Sequence, residues 1–202
     1  MISIIDYGLG NINAIGSAYK SIGVDYQIID KGIDLKDATH VILPGVGSFD
    51  NAMNKINKND FNEILNFLVL EKKIYILGIC VGLQIMSNSS SEGNIKGFGW
   101  IDVETKMIDL KNIKFKIPHM GWNKIKSINN CPILKNVDDE EFYFLHSFNI
   151  SDVNNKYTSA TSTYGLPITA AISYKNIFGT QFHPEKSHHQ GLKILKNFSD
   201  LK

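Results

Sequence analysis

In the first half of the chain, short apolar runs rich in β-branched residues alternate with longer segments in which apolar residues recur at helical spacing. This alternation is typical of a parallel sheet covered by helices, so it predicts an α/β fold. The predicted strands are Ile2–Ile5, Tyr26–Ile29, Val41–Leu43 and Ile74–Ile79. The predicted helices are Ala14–Ile22, Phe61–Glu71 and Val81–Ser87.

From Gly99 onward the pattern changes to shorter extended pieces, which predict partly antiparallel strands added to a mostly parallel sheet. These predicted strands are Ile101–Thr105, Phe142–Leu145, Thr158–Thr163, Ala170–Ser173 and Ile177–Phe182, and a closing helix is predicted at Gln190–Phe198. The polar stretch Ser87–Asn94 is predicted to be a surface loop, since it is too short for a domain linker. Residues 1–202 are therefore expected to form a single domain.

The charges of the chain nearly cancel, with 21 basic and 20 acidic residues. A net charge of +1 gives no electrostatic reason to expect nucleic acid or an anionic membrane as a partner. All 21 basic residues are lysine, so a bound anion must be held by lysine or by backbone N–H groups rather than by a guanidinium. No signal peptide is predicted at Met1–Asp6, and the apolar stretch Ile74–Met86 is shorter than the roughly 20 residues that span a bilayer. We expect a cytoplasmic protein.

Cys80 lies in the segment Gly78-Ile79-Cys80-Val81-Gly82, directly after the strongest predicted strand and at the start of a predicted helix. This context is typical of a nucleophile elbow, in which flanking glycines relieve crowding at a strained turn. Oriented N–H groups at the helix start favour the thiolate, and the Val81 N–H can donate to a developing oxyanion. The alternative is a small buried hydrophobe, which is the interpretation that we prefer for Cys131.

A base for Cys80 is available in the segment Gln181-Phe182-His183-Pro184-Glu185. Proline favours an extended backbone at His183, and in an extended segment residues two apart project to the same side. His183 and Glu185 are therefore predicted to touch. Glu185 would fix the imidazole tautomer, leaving the other ring nitrogen to take a proton from Cys80 and return it to a leaving amine. The sequence thus predicts a Cys-His-Glu triad.

Other candidate chemistry is weaker. His40, His188 and His189 are interpreted as structural or exposed residues, because a lone histidine seldom acts in catalysis. The adjacent His188 and His189 have no carboxylate or cysteine at ligand spacing, so no metal site is predicted. Neither G-x-x-x-x-G-K-[ST] nor G-x-G-x-x-G occurs, and no cofactor is expected.

Five segments in order resemble the class I glutamine amidotransferases, and within them the glutaminase subunits of imidazole glycerol phosphate synthases. These segments are Ile4–Asn11 (IIDYGLGN), Leu43–Gly47 (LPGVG), Pro118–Asn123 (PHMGWN), Phe144–Phe148 (FLHSF) and Gly179–Ser187 (GTQFHPEKS). The resemblance covers nearly the whole chain and implies the flavodoxin-like fold of that class, with a mostly parallel central sheet, flanking helices and added antiparallel strands.

The resemblance also implies a reaction. Cys80 attacks the side-chain amide of L-glutamine, ammonia leaves, and water hydrolyses the glutamyl thioester to glutamate. Gly45, Val46 and Gly47 would furnish a second oxyanion donor from their backbone. Gln84, Ser147 and Phe148 would help to place glutamine, largely through main-chain groups. Without the triad, the Pro44-Gly45 pair would be an ordinary turn.

A partner follows from the same resemblance, because this family passes its ammonia to a barrel-type synthase (cyclase) subunit in a heterodimer that serves histidine biosynthesis. Residues at positions that face the synthase or relay its state in that family are Asn11, Met120, Trp122, Asn123, Tyr143 and Lys186. For the aromatic residues among them, ordinary core packing is the competing interpretation.

The stretch Gly97–Glu104 departs from the family, which more often has a further glycine and a basic residue there. This leaves open a paralogue that supplies ammonia to a related barrel for the amidination of surface sugars. A stand-alone γ-glutamyl hydrolase with the same elbow and triad is a second alternative. A non-catalytic flavodoxin-like binding module is a third, against which the complete triad argues.

Overall fold

The structure is a computed structural model that describes residues 1–110 and 115–202. Its strands are β1 Ile2–Ile5, β2 Tyr26–Ile29, β3 His40–Leu43, β4 Tyr75–Ile79, β5 Ser89–Ser90, β6 Glu104–Met107, β7 His119–Ser127, β8 Glu141–His146, β9 Phe148–Ser151, β10 Thr158–Tyr164, β11 Leu166–Tyr174 and β12 Ile177–Thr180. Its α-helices are α1 Ile12–Ser21, α2 Phe49–Lys58, α3 Phe61–Asn66, α4 Val81–Gln84 and α5 His188–Ser199.

Nine strands form the main sheet in the order β2-β1-β3-β4-β12-β11-β10-β7-β8. The pairs from β2 to β12 are parallel, whereas those from β12 to β8 are antiparallel. A smaller sheet has the order β5-β6-β9. Strands β1, β4 and β12 carry near-continuous apolar runs, as expected where helices cover both faces of a parallel sheet. The predicted α/β class, with antiparallel strands added to a parallel sheet, is confirmed.

Strand β7 was not predicted, and its burial pattern shows why. Met120 and Trp122 point to the exposed side, whereas His119 points inward and is buried. In β7 the large apolar residues therefore lie on the exposed face, where a half-buried strand usually carries polar residues. Strand β9 was also missed, and the strand predicted at Ile101–Thr105 was wrong over most of its length, because the pairing with β9 begins at Glu104.

The helix predictions need similar corrections. Helix α2 was missed because asparagine and lysine dominate it, although Phe49, Ala52, Met53 and Ile56 form a buried stripe at helical spacing. The helix predicted at Phe61–Glu71 ends as an α-helix at Asn66 and continues as a π-helical turn.

Two boundaries near the elbow also differ. The helix predicted at Val81–Ser87 ends at Gln84, and the predicted loop Ser87–Asn94 contains the short strand β5. None of the helices in the described part of the chain is both long and apolar enough to cross a membrane.

The site is positioned by the ends of two neighbouring parallel strands. Ile79 at the end of β4 lies opposite Thr180 at the end of β12. Parallel strands present their carboxyl ends at one edge of a sheet, so the residues that follow them emerge together there. Cys80 follows the first strand, and Gln181 and His183 follow the second.

Candidate active site

The backbone at Cys80 forms a strained turn, with φ +54° and ψ −110°. The Cys80 N–H donates to the Thr180 carbonyl at 2.8 Å, which fastens the turn to β12. A Cβ at Gly82 would lie 1.9 Å from the Leu43 carbonyl oxygen, and one at Gly78 would lie 2.7 Å from the Gly82 oxygen. No side chain fits at either position, so both glycines are required by close approach of the backbone. The expected elbow geometry is present.

His183 and Glu185 are in contact. The His183 Nδ1 and the Glu185 Oε1 lie 2.8 Å apart, and both side chains are almost completely shielded from solvent. The His183 backbone is extended (φ −98°, ψ 99°), as the following proline favours. Its N–H donates to the Tyr143 carbonyl of β8 at 2.9 Å, which fixes the imidazole against the same edge of the sheet.

The triad is electrostatically coupled. Burial by itself lowers the pKa of His183, but hydrogen bonds to Cys80 and Glu185, together with their charges, raise it to about 10. Burial opposes the charged form of Glu185 as well, but the hydrogen bond and charge of His183 and a hydrogen bond from Asn11 hold the pKa of Glu185 below its usual range. An imidazolium held between two acceptors is the form that stabilises a thiolate at Cys80.

Asn11 stands behind the triad. Its Nδ2 donates to Glu185 Oε1 at 2.7 Å, and the side chain of Asn11 is half-buried at the start of α1. The other oxygen of Glu185, Oε2, is buried without a hydrogen-bond partner among residues 1–110 and 115–202. Asn11 and His183 therefore both orient the carboxylate through a single oxygen.

Two side-chain amides, those of Gln84 and Gln181, connect the Phe148 carbonyl to Cys80. The Gln84 Nε2 donates to the Phe148 carbonyl at 2.9 Å and to the Gln181 Oε1 at 3.0 Å. The Gln181 Nε2 in turn lies 3.7 Å from the Cys80 sulfur, where it can donate to a thiolate. Sequence reasoning proposed Gln84 but missed Gln181, although Gln181 lies in the same segment as His183.

A cavity of about 260 Å³ opens over Cys80. Its walls include Val46, Gly47, Val81, Gln84, Glu92, His146, Ser147, Phe148, His183 and Lys186. Most of the residues expected to bind glutamine thus surround one space. Gly45 does not line it: this glycine packs beneath the loop, where a Cβ would lie 2.5 Å from the Gly82 nitrogen.

The Pro44–Gly47 loop is held close to the elbow. The Tyr7 hydroxyl donates to the Pro44 carbonyl at 2.7 Å, and a Cβ at Gly10 would lie 2.7 Å from the Pro44 side chain. Gly47 has φ +92° and is exposed, and apart from its chain neighbours none of the described residues has an atom within 4 Å of its ideal Cβ position. The first half of the loop is therefore packed, whereas Gly47 is open to the cavity.

Glu92 is a cavity residue that sequence reasoning missed. Its Oε2 accepts a hydrogen bond of 2.8 Å from the Phe49 N–H, so this carboxylate caps α2. In return, the Asp50 carboxylate accepts hydrogen bonds from the Asn94 and Ile95 N–H groups. No motif marks Glu92, because its place depends on the contact between α2 and a loop that lies about 40 residues later in the chain.

The residues expected to face a synthase or to relay its state are all half-buried or exposed. Met120 and Trp122 are 64% and 45% exposed, and the Lys186 ammonium lies 5.5 Å from the centre of the Tyr143 ring. Asn123 is half-buried, and its Nδ2 donates to the Thr163 carbonyl at 2.7 Å. Asn11 is the member of this group that hydrogen-bonds to Glu185.

The remaining candidates lie outside the cavity. Cys131 is buried, and His40 lies with its Nε2 3.2 Å from the Leu201 carbonyl oxygen. His188 and His189 are exposed, and the His188 ring stacks on Trp122 at 4.9 Å. Among the described residues, no group of three or more His, Cys, Asp or Glu side chains is placed to hold a metal ion.

Comparison with known proteins shows which family the chain is similar to. The family model for glutamine amidotransferase class-I matches residues 3–201. A Leptospira borgpetersenii protein named imidazole glycerol phosphate synthase subunit HisH is 43% identical over 204 residues, with both chains covered completely. The protein of that name from Bacillus subtilis (strain 168) is 38% identical, and the match covers all of this chain and 96% of the relative.

Solved structures support the fold. PurLQS from Thermotoga maritima is similar with a TM-score of 0.74 at 17% identity, and the match covers 98% of this chain and 97% of that one. A structure described as a glutamine amidotransferase gives a TM-score of 0.76 at 13% identity, covering 98% of each chain. At these identities the likeness concerns the fold alone.

Proposed function

The chain belongs to the class I glutamine amidotransferase family, and from that premise we propose that Cys80, His183 and Glu185 carry out its hydrolysis of glutamine. The protein is the glutaminase subunit of an imidazole glycerol phosphate synthase and serves histidine biosynthesis. The departure at Gly97–Glu104 does not outweigh 43% identity over the full length of such subunits, so the surface-sugar acceptor and the independent hydrolase are set aside.

One observation carries the assignment of the triad: Cys80, at a strained elbow, and the buried His183–Glu185 pair meet at one sheet edge beneath a cavity. The Cys80 thiolate attacks the amide carbon of glutamine, and the electron pair of the C=O bond moves to oxygen. The Val81 N–H and the backbone of Val46 and Gly47 stabilise this oxyanion.

Collapse of the tetrahedral intermediate breaks the C–N bond. His183 gives its Nε2 proton to the leaving nitrogen, ammonia departs, and a thioester remains on Cys80. The neutral imidazole then takes a proton from water, whose oxygen attacks the thioester carbon. Cleavage of the C–S bond releases glutamate and returns Cys80 to the thiolate. Glu185, bound to Nδ1, holds one tautomer through both half-reactions and stabilises the imidazolium.

The charged residues of the cavity indicate how the α-ammonium and carboxylate groups of glutamine would bind. Glu92 is the carboxylate of the wall, and it is placed to accept hydrogen bonds from the α-ammonium group of glutamine. The substrate carboxylate has no arginine to bind in this chain, so main-chain N–H groups near Ser147 and Phe148, with Lys186, would hold it.

The protein is a subunit of a larger enzyme, and the surface beside the cavity suggests where its partner docks. Met120 and Trp122 of β7 pair with Leu145 and Tyr143 of β8. Met120, Trp122 and Leu145 are 64%, 45% and 37% exposed. We call this surface the β7–β8 face. Large exposed apolar groups of this kind mark contact sites.

The proposed docking surface is close to Cys80. The Leu145 carbonyl lies 3.8 Å from the Cys80 sulfur, so the β7–β8 face is close to the proposed site of ammonia release. A barrel-type synthase subunit in a heterodimer, working in the reducing cytoplasm where Cys80 stays a free thiol, fits this arrangement.

Glutamate release by the purified chain, alone and with the barrel synthase subunit of the same organism and its nucleotide substrate, tests the proposal. We expect strong stimulation by the partner, and a Trp122→Ala variant should need more partner to reach the same rate. Full activity without any partner, or no activity with it, would contradict the proposal.

A further inference from the structure

Two buried histidines that the hydrolysis does not use lie between the β7–β8 face and the cavity. His119 of β7 and His146 of β8 stand opposite each other in the strand register. The His119 Nδ1 and the His146 Nε2 are 2.9 Å apart, and both side chains are buried. Only His146 lines the cavity.

The hydrogen bonds of this pair run in one direction. The His146 Nδ1 lies 2.8 Å from the Phe148 carbonyl oxygen, which can only accept, so Nδ1 carries the proton. In a neutral ring the Nε2 of His146 is then an acceptor, and His119 must donate to it from Nδ1. Both rings are therefore Nδ1–H tautomers.

The surroundings keep both rings neutral. Burial lowers the pKa of His119 to about 4. Burial also lowers the pKa of His146, to about 3, against the opposing effect of its hydrogen bond to the Phe148 carbonyl. Near neutral pH neither imidazole gains a second proton, so the direction of the hydrogen bonds is preserved.

The His119 ring is fixed in its plane by aromatic neighbours. Phe144 stacks on it at 4.6 Å and Tyr164 at 4.1 Å, with interplanar angles of 20° and 24°. Its Nε2 faces the Asn123 Nδ2 at 3.5 Å, and this amide is held by the Thr163 carbonyl. The imidazole cannot turn away from His146 without breaking this stack.

The imidazole pair and the Gln84 side-chain amide of the active site hydrogen-bond to the same backbone carbonyl. The Phe148 oxygen accepts from His146 and also from Gln84, which continues through Gln181 to the Cys80 sulfur. Phe148 is thus held from the partner side and from the nucleophile side. Strand β7 carries His119, so the position of this strand acts on the first of these hydrogen bonds through the imidazole pair.

We propose that His119 and His146 are positioning residues that hold the Ser147–Phe148 wall of the glutamine cavity and couple its position to strand β7. The inference rests on the proposed glutaminase function and deepens it. The pair does not touch the reacting atoms. It sets the place of the backbone that binds substrate, so its loss should weaken glutamine binding more than turnover.

The first test reads the tautomers in the wild-type chain by ¹⁵N NMR of histidine-labelled protein, alone and in complex with the synthase subunit. We expect His119 and His146 to show protonated Nδ1 and unprotonated Nε2 at neutral pH. A protonated Nε2 on either ring would overturn the proposal. This readout needs no activity, so it is independent of whether the glutaminase assignment holds.

The second test compares two variants at one position in the complex. His119→Phe keeps an aromatic ring in the stack but removes the donor, whereas His119→Asn keeps an N–H donor near the place of Nδ1. We expect His119→Phe to raise the KM for glutamine by roughly tenfold, the effect of one lost hydrogen bond. His119→Asn should remain within about threefold of wild type, with kcat little changed in both.

Equal KM values for wild type and His119→Phe would overturn the proposal, and so would equal losses in the two variants, which would indicate packing alone. His189→Asn is the matched control, because this histidine is exposed and outside the chain of hydrogen bonds. No glutamate release by the wild-type complex would instead contradict the proposed function, while the NMR result would still decide the tautomers.

Discussion

Asn11 donates a hydrogen bond of 2.7 Å to the same oxygen of Glu185 that contacts His183 at 2.8 Å. Asn11 and Glu185, 174 positions apart in the chain, thus meet beside His183. By resemblance Asn11 was expected to face the synthase or to relay its state, and its side chain here contacts Glu185. A residue at the start of α1 therefore shares control of the carboxylate that orients the base.

Replacement of Asn11 by alanine should lower kcat for glutamine hydrolysis by about tenfold, because Glu185 Oε1 loses a charge-assisted hydrogen bond and Oε2 already has no described partner. Steady-state glutamate release at saturating synthase subunit measures this. Asn13→Ala is the control, since Asn13 is exposed on the same helix. An unchanged kcat in Asn11→Ala would show that the contact does not matter for catalysis.

Replacement of Glu185 by glutamine should lower the pKa of His183, because it removes a negative charge and leaves burial to favour the neutral ring. The wild-type pKa of about 10 means that the imidazolium persists through neutral pH. Its stabilising contribution is complete below the unfolded-state pKa of about 6.5 and is lost as pH rises through about 10.

Titration of the His183 ring by NMR, in wild type and Glu185→Gln, measures this shift. We also expect kcat/KM to fall by roughly a hundredfold or more, as the tautomer and the charge are both disturbed. A His183 pKa that stays the same in the variant would contradict the assigned coupling.

Replacement of Glu92 by glutamine should raise the KM for glutamine by roughly tenfold or more, because a charged hydrogen bond to the α-ammonium group is lost. The effect should vanish with glutaramate, which has the amide and the carboxylate but no α-amino group. Glu104→Gln is the control, since that carboxylate is exposed and pairs with Lys106 away from the cavity. An equal effect of Glu92→Gln on both substrates would show that it acts only through its cap on α2.

The arrangement of Cys80, His183 and Glu185 could be predicted from the sequence because its geometry is local. The glycines around Cys80 and the proline after His183 fix the backbone within a few residues, and strand order brings the two segments together. Most of the parallel half of the sheet was also predictable, as β1, β3, β4 and β12 are near-continuous buried apolar runs.

What was missed depends on contacts between distant segments. Strand β7 could not be predicted from the sequence because Met120 and Trp122 point outward, whereas the buried His119 resembles a polar surface residue. Glu92 and Gln181 carry no distinguishing pattern. Their roles become apparent only when α2 lies against the loop at Glu92 and β12 lies beside β4.

We propose that Cys80 releases the ammonia that the synthase subunit consumes, and a Cys80→Ala variant in the full complex tests this role. We expect no glutamate release and no glutamine-dependent synthesis, while synthesis driven by added ammonium salt stays close to that of the wild-type complex. Loss of the ammonium-driven reaction would assign Cys80 to folding or assembly. Continued glutamine-dependent turnover in the variant would contradict its role as the nucleophile.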